Sequence, residues 1–311
     1  MALLESIIID PSGSLKLLNT TQISSIGNIW FDVPSQRLKY SWYGGLWSVG
    51  GNLITGRRAL GGVGIQNAAL AFGGYTGYSC TCTEEYNGSS WSAGGALSTA
   101  RYFLAGAGEQ NAGLAFGGYV SRPSFSTLSC TEEYNGTSWA AGGALITARW
   151  GIAGTGTQNA GLAFGGNSPV RSCTEEYNGT AWSTGGGLIN ERQYSAGAGT
   201  QNAGLAFGGN PTYACTEEYN GSSWSAGGAL ITGRYYLAGA GTQNEALAFG
   251  GNPASLCTEG YNGSSWSTGG ALIESKVCAA GAGTQTTALA FGGQSGCSTE
   301  EYNVGFQIQN V

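Results

Sequence analysis

The side chains of this chain that could do charge or acid–base chemistry recur at fixed intervals. Arginine stands at Arg57, Arg101, Arg149, Arg192 and Arg234, with Lys276 in the sixth place, and glutamate at Glu84, Glu132, Glu175, Glu217, Glu259 and Glu300. A planar guanidinium carries a fork of donors that satisfies a carboxylate or several backbone carbonyls. The series therefore reads as an internal clamp made once per unit. Lys276 keeps the charge and loses the fork. A second carboxylate follows directly at Glu85, Glu133, Glu176, Glu218 and Glu301, while Gly260 interrupts that set. Neighbouring side chains on a strand point to opposite faces, so such a pair cannot flank one substrate as a glycosidase pair does, and does not form a calcium cage. The second set is read as surface or structural charge.

The other ingredients of catalysis are thin. The chain has no histidine, its aspartates are Asp10 and Asp32, and neither a Walker-type nor a dinucleotide-binding glycine spacing occurs. Cys82, Cys130, Cys173, Cys215 and Cys257 each precede Thr-Glu, the same point of successive units. They are expected to be reduced, buried thiols that do not face one another. Cys80 and Cys82 lack the C-x-x-C spacing, and without histidine a zinc site is not expected. No base stands ready to activate a serine or a thiol, so the residues predict a protein that is not an enzyme and holds no cofactor or metal.

These residues are set in six near-copies of one unit, marked by Phe72, Phe116, Phe164, Phe207, Phe249 and Phe291 at spacings of 42 to 48 residues. That period is the size of a propeller blade. In the second unit, Arg101 to Gly108 and Ala112 to Gly118 give two short strands of small and apolar residues. Cys130 to Tyr134 gives a third, Asn135-Gly136 supplies a two-residue hairpin turn, and Trp139 opens a fourth. Six units of four antiparallel strands predict an all-β, six-bladed propeller with the Gly/Ala strand innermost, where room is least. Glycine, 57 of 311 residues, marks turns and close approaches in this scheme. Trp47, Trp91, Trp139, Trp182, Trp224 and Trp266 are expected to pack between blades rather than stack on sugars. Trp47 precedes the first complete unit and the last copy runs out after Tyr302, so the Trp47 strand is expected to close the final blade beside residues 299 to 302. The Asn-Gly-Ser/Thr triplets match the glycosylation pattern, but turn chemistry already accounts for them.

A formal charge of −6 with 12 basic residues and no basic cluster argues against nucleic acid as a partner. The start lacks a basic region followed by an apolar one, and no stretch has the apolar length of a membrane helix, so a soluble chain made in the cytoplasm and not inserted in a membrane is expected. Against the regular background, the loops before the Thr-Glu strand vary most. The longest, over 119–128, carries Tyr119, Arg122 and Phe125 as the candidate partner contact. Residues 1–28 depart from the unit and, with too little apolar material to fold alone, are read as an attachment arm; residues 29–311 are read as the propeller with its entry hairpin and closing strand.

Arg101, the strand ending in Gly117-Gly118, Tyr134 and Trp139 together resemble the kelch repeat, over about residues 42 to 302. The phrases TEEYNGSSW and AGAGTQNAGLAFGG resemble more narrowly the kelch-like repeats of virion and tail-associated proteins of marine tailed bacteriophages, the cyanophages. Gly27 to Asp32 followed by Leu38 to Ser41 resembles the short hairpin that introduces such modules. The resemblance implies a kelch-like propeller in a noncatalytic, tail-associated virion protein. Residues 1–28 would bind other virion proteins, and the variable rim would meet a host-surface glycan or protein. A capsid decoration protein and a soluble intracellular interaction propeller are the alternatives.

Overall fold

Each unit becomes four short strands because small and apolar residues alternate along it and glycines break it at the turns. The computed structural model describes residues 7–9, 15–17, 26–32, 37–121, 125–167, 172–211, 213–253, 255–294 and 296–310, with side chains described from 45 to 304. The chain divides into two units, Met1–Gly45 with Val304–Val311, and Leu46–Asn303. In the first, Ile7–Ile9 pairs antiparallel with Leu15–Leu17, and Ile26–Asp32 pairs with Arg37–Val49 through a register shift between Ile26 and Asn28.

The second unit is a six-bladed propeller of four-stranded antiparallel blades. The first blade runs Gly61–Ile65, Ala68–Phe72, Thr83–Tyr86 and Trp91–Ala93 from the axis outward. The innermost strands of the next five are Ala105–Glu109, Ala153–Thr157, Ala196–Thr200, Ala238–Gly241 and Ala280–Gly283. In the sixth, Thr287–Phe291 is followed in the sheet by Thr299–Asn310 and then by Arg37–Val49, and the Gly50 amide donates to the Thr299 carbonyl at 2.9 Å.

The outer hairpin differs from its expected form. Tyr134 pairs with Trp139, which leaves four loop residues, Asn135 to Ser138, rather than a two-residue turn. The reason is the asparagine side chain: Asn135 Oδ1 accepts from the amides of Thr137 (3.0 Å) and Ser138 (2.9 Å), and Gly136 takes the positive φ that the turn needs.

The core lies between blades. Each outer-strand tryptophan packs on the phenylalanine of the preceding blade, edge-on as Trp182 does Phe116 with ring centroids 4.9 Å apart, or tilted as Trp91 does Phe291. Its indole N–H donates to a threonine of that same blade: Trp91 to Thr299, Trp139 to Thr83, Trp182 to Thr131, Trp224 to Thr174, Trp266 to Thr216 and Trp47 to Thr258, all at 2.9–3.0 Å. Glycine on the inner strand is forced by this packing. A Cβ on Gly197 would lie 2.7 Å from Phe164 Cζ and 3.0 Å from the Gly154 carbonyl oxygen of the preceding blade. Glutamines missed in the sequence reading stitch the same interfaces. Gln158 Nε2, for example, donates to the Gly113 and Tyr134 carbonyls of the blade before it.

Candidate functional site

The repeated charges are buried structural pairs. Arg149 and Glu175 stand 3.0 Å apart, Arg234 and Glu259 3.0 Å, and Lys276 and Glu300 3.7 Å; Arg57–Glu84, Arg101–Glu132 and Arg192–Glu217 make the same contact. The carboxylates also accept backbone amides of the connection entering their blade, as Glu175 does from Ile146 at 2.7 Å and Thr147 at 3.3 Å. Burial lowers the pKa of Arg149 and of Lys276 while the facing glutamate opposes it. These groups bond to one another and to the backbone of the scaffold.

The second glutamates have partners that sequence reasoning missed. Tyr134 donates to Glu85 at 2.6 Å and Tyr177 to Glu133 at 2.5 Å, each bond crossing from one blade to its neighbour. Burial first and the glutamate second push Tyr86, Tyr134, Tyr219 and Tyr261 up to about 12.

The cysteine reading is corrected. Cys80 and Cys82 are joined in a disulfide, their Cα atoms 5.4 Å apart. Cys130, Cys173, Cys215 and Cys257 are free but only half-buried, since they sit at the rim where the third strand begins. Among the described residues no cluster of three or more metal-ligating side chains occurs.

The rim that carries the variable loops also carries the connections between blades. Isolated bridges tie the two together, as at Arg58 with Tyr75, Tyr102 with Tyr119 and Trp150 with Asn167. At its centre the residue two after each arginine, or after Lys276, forms a closed ring of backbone hydrogen bonds. Ala59 donates to Cys278, Phe103 to Ala59, Gly151 to Phe103, Tyr194 to Gly151, Tyr236 to Tyr194 and Cys278 to Tyr236, at 2.8–3.0 Å. All six have φ between 53° and 61°, the left-handed region, which non-glycine residues seldom enter. The ring lines an axial opening of about 110 Å³.

Around the opening lies a connected aromatic surface. Tyr75, Tyr102, Phe103, Trp150, Tyr194 and Tyr236 touch in sequence, with centroid separations from 4.3 Å for Tyr194–Tyr236 to 5.7 Å for Phe103–Trp150. The Arg58 guanidinium carbon sits 5.3 Å from the Tyr75 ring centroid. Burial, then the neighbouring phenols, raises Tyr194, whose hydroxyl bonds to Tyr236; burial pushes the Cys278 thiol up to about 12. These groups stay protonated near neutrality. Ser195 Oγ, in the wall of the opening, has no hydrogen-bond partner among the described residues.

Of the expected partner contacts, Tyr119 is half-buried and joins this surface through Tyr102 (5.8 Å) and Trp150 (5.5 Å). Phe125 is 71% exposed and lies 6.5 Å from Tyr119. Arg122 lies outside the described residues. The axial ring itself was missed. Its signal was the variation from Ala to Phe, Gly, Tyr, Tyr and Cys at one place in otherwise matching copies.

No protein-family model and no curated protein matches the chain. Among solved structures it is similar to one titled "Structure of YjhT". The TM-score is 0.68 at 12% identity, over 85% of this chain and 100% of that one. What the two share is the propeller fold. The similarity is to YjhT and not to a phage virion protein, so the phage family, the tail-associated location and the virion and host partners are withdrawn. The noncatalytic structural role and the exclusion of enzymatic activity fall with them. No helix among the described residues is long and apolar enough to cross a membrane.

Proposed function

We propose that this chain is a ligand-binding propeller whose axial mouth receives a small neutral saccharide. The observation that carries the reading is the backbone ring, which brings five side chains and Gly151 to one opening beside touching aromatic rings. Sugars present apolar C–H faces to aromatic rings and hydroxyls to polar groups. Tyr194, Tyr236 and Ser195 supply hydroxyls beside such rings, and among the described residues the lining of the mouth holds no glutamate. We also read the unit as kelch-like and the ring as closed by the Trp47 strand; the place of Trp47 in the tryptophan–threonine series supports that closure.

Titration of the full chain against a panel of neutral mono- and disaccharides, followed by calorimetry and tryptophan fluorescence, tests the site. Trp150→Ala and Tyr194→Ala are expected to weaken any binding by roughly tenfold each, as loss of one stacking surface would. Binding unchanged in both variants, or no saccharide bound, refutes the reading.

A further inference from the structure

Five of the six blade interfaces carry one charge-assisted bond. The hydroxyls of Tyr86, Tyr134, Tyr177, Tyr219 and Tyr261 donate to Glu301, Glu85, Glu133, Glu176 and Glu218 at 2.5–2.6 Å. In each, a glycine amide donates to the same phenolic oxygen, as Gly143 does to Tyr177 at 3.2 Å. The phenol thus has one donor behind it and one carboxylate in front.

The interface between the fifth and sixth blades breaks the rule. Tyr302 stands in the tyrosine place, only 4% exposed, and its oxygen accepts the Gly270 amide. The glutamate place is Gly260. A Cβ built there meets nothing nearer than Gln285 Nε2 at 3.5 Å, an ordinary contact, so the first carbon of a side chain fits at this place without displacing a neighbour. At the other five interfaces that glutamate is half-buried, which means the space communicates with solvent. Tyr302 keeps its hydroxyl donor, while the carboxylate that receives this donor at the other five interfaces has no counterpart opposite it.

We propose that the notch between Gly260 and Tyr302 binds a small free carboxylate, held by the Tyr302 hydroxyl where its five counterparts hold a glutamate. Propionate is the deleted side chain as a free molecule. It carries the two carbons and the carboxylate that a glutamate would place there. The site is separate from the axial mouth and does not depend on what that mouth binds.

Thermal unfolding of the full chain at neutral pH, in sodium propionate against sodium chloride of equal ionic strength, reads the site directly. At saturation, propionate is expected to raise the midpoint by about 2–3 °C over chloride, as a ligand bound only to the folded state does. Tyr302→Phe, which keeps the ring and removes the donor, is expected to abolish the difference. Gly260→Glu is expected to abolish it as well, by supplying the carboxylate in the chain. A midpoint no higher in propionate than in chloride overturns the proposal. So does a propionate response that persists in Tyr302→Phe, a variant whose packing is otherwise intact.

Discussion

Glu175→Leu is the sharpest perturbation of the scaffold. Glu175 Oε1 faces Arg149 Nη2 at 3.0 Å and the Thr147 amide at 3.3 Å, while Oε2 accepts the Ile146 amide at 2.7 Å. Both side chains are essentially solvent-free, 0% and 1% exposed, so screening does not soften the loss. Breaking a buried pair by removing one partner costs about 3–5 kcal/mol. Stranding amides that the carboxylate had satisfied adds about 1–3 kcal/mol. Total stabilities run at about 5–15 kcal/mol, so Glu175→Leu should lose a third or more of the whole. Arg149→Met/Glu175→Leu should cost less than the sum of its two single changes, because neither charge is then left alone. Arg149→Lys should be mild, since Lys276 already serves beside Glu300 and donates to the Ser298 carbonyl at 3.0 Å. Urea unfolding of the four variants gives the cycle. A Glu175→Leu loss below about 1 kcal/mol, or strict additivity in the double variant, would show that the pair is not the clamp argued above.

Other outcomes follow from the same interfaces. Gly197→Ala should cost about 1–3 kcal/mol by overpacking against Phe164, and Phe164→Leu in the same chain should recover part of it; a neutral Gly197→Ala rejects the close-approach argument. Trp182→Phe should cost about 0.5–1.5 kcal/mol through the lost bond to Thr131, measured as a shift in urea midpoint. The phenols held at about 12 keep their protons in the folded state, whereas unfolded tyrosines titrate near about 10. Their contribution is therefore complete below about pH 10 and is lost as pH rises from there through about 12. The urea midpoint should fall across that window, less steeply in Tyr134→Phe; a midpoint that rises above pH 10 contradicts the sign.

The blade was legible because its signals are local. The Gly/Ala strand, the Asn-Gly turn and the tryptophan spacing each specify a short piece of backbone, and six copies remove the ambiguity of any one. What stayed hidden depends on contacts between copies. Glu133 and Tyr177 lie 44 residues apart, and nothing within one unit says that they meet. Nothing in one unit marks Gln158 as an interface residue, yet its side chain reaches carbonyls on two strands of the preceding blade. The four-residue outer loop was misjudged for a different reason. Asn-Gly does favour a two-residue turn, but the Asn135 side chain accepts the amides of Thr137 and Ser138 and stabilises the longer one.

Packing and recognition leave different patterns among the copies. Phenylalanine, tryptophan and threonine at the interfaces hardly vary among copies, because each must fit an identical neighbour. The residue two after the arginine is held by its backbone, through one hydrogen bond forward and one back, at nearly the same φ in all six blades. Its side chain meets the other members of the ring, as Tyr194 meets Tyr236 and Phe103, and not a repeated interface, so the six can differ as long as they fit one another. A ring that fixes its backbone and lets its side chains vary is suited to carry an asymmetric site on a symmetric scaffold. Gly260 is the converse case. It is a departure at a place where the copies otherwise agree, and the Tyr302 donor left opposite it gives that departure a chemical direction.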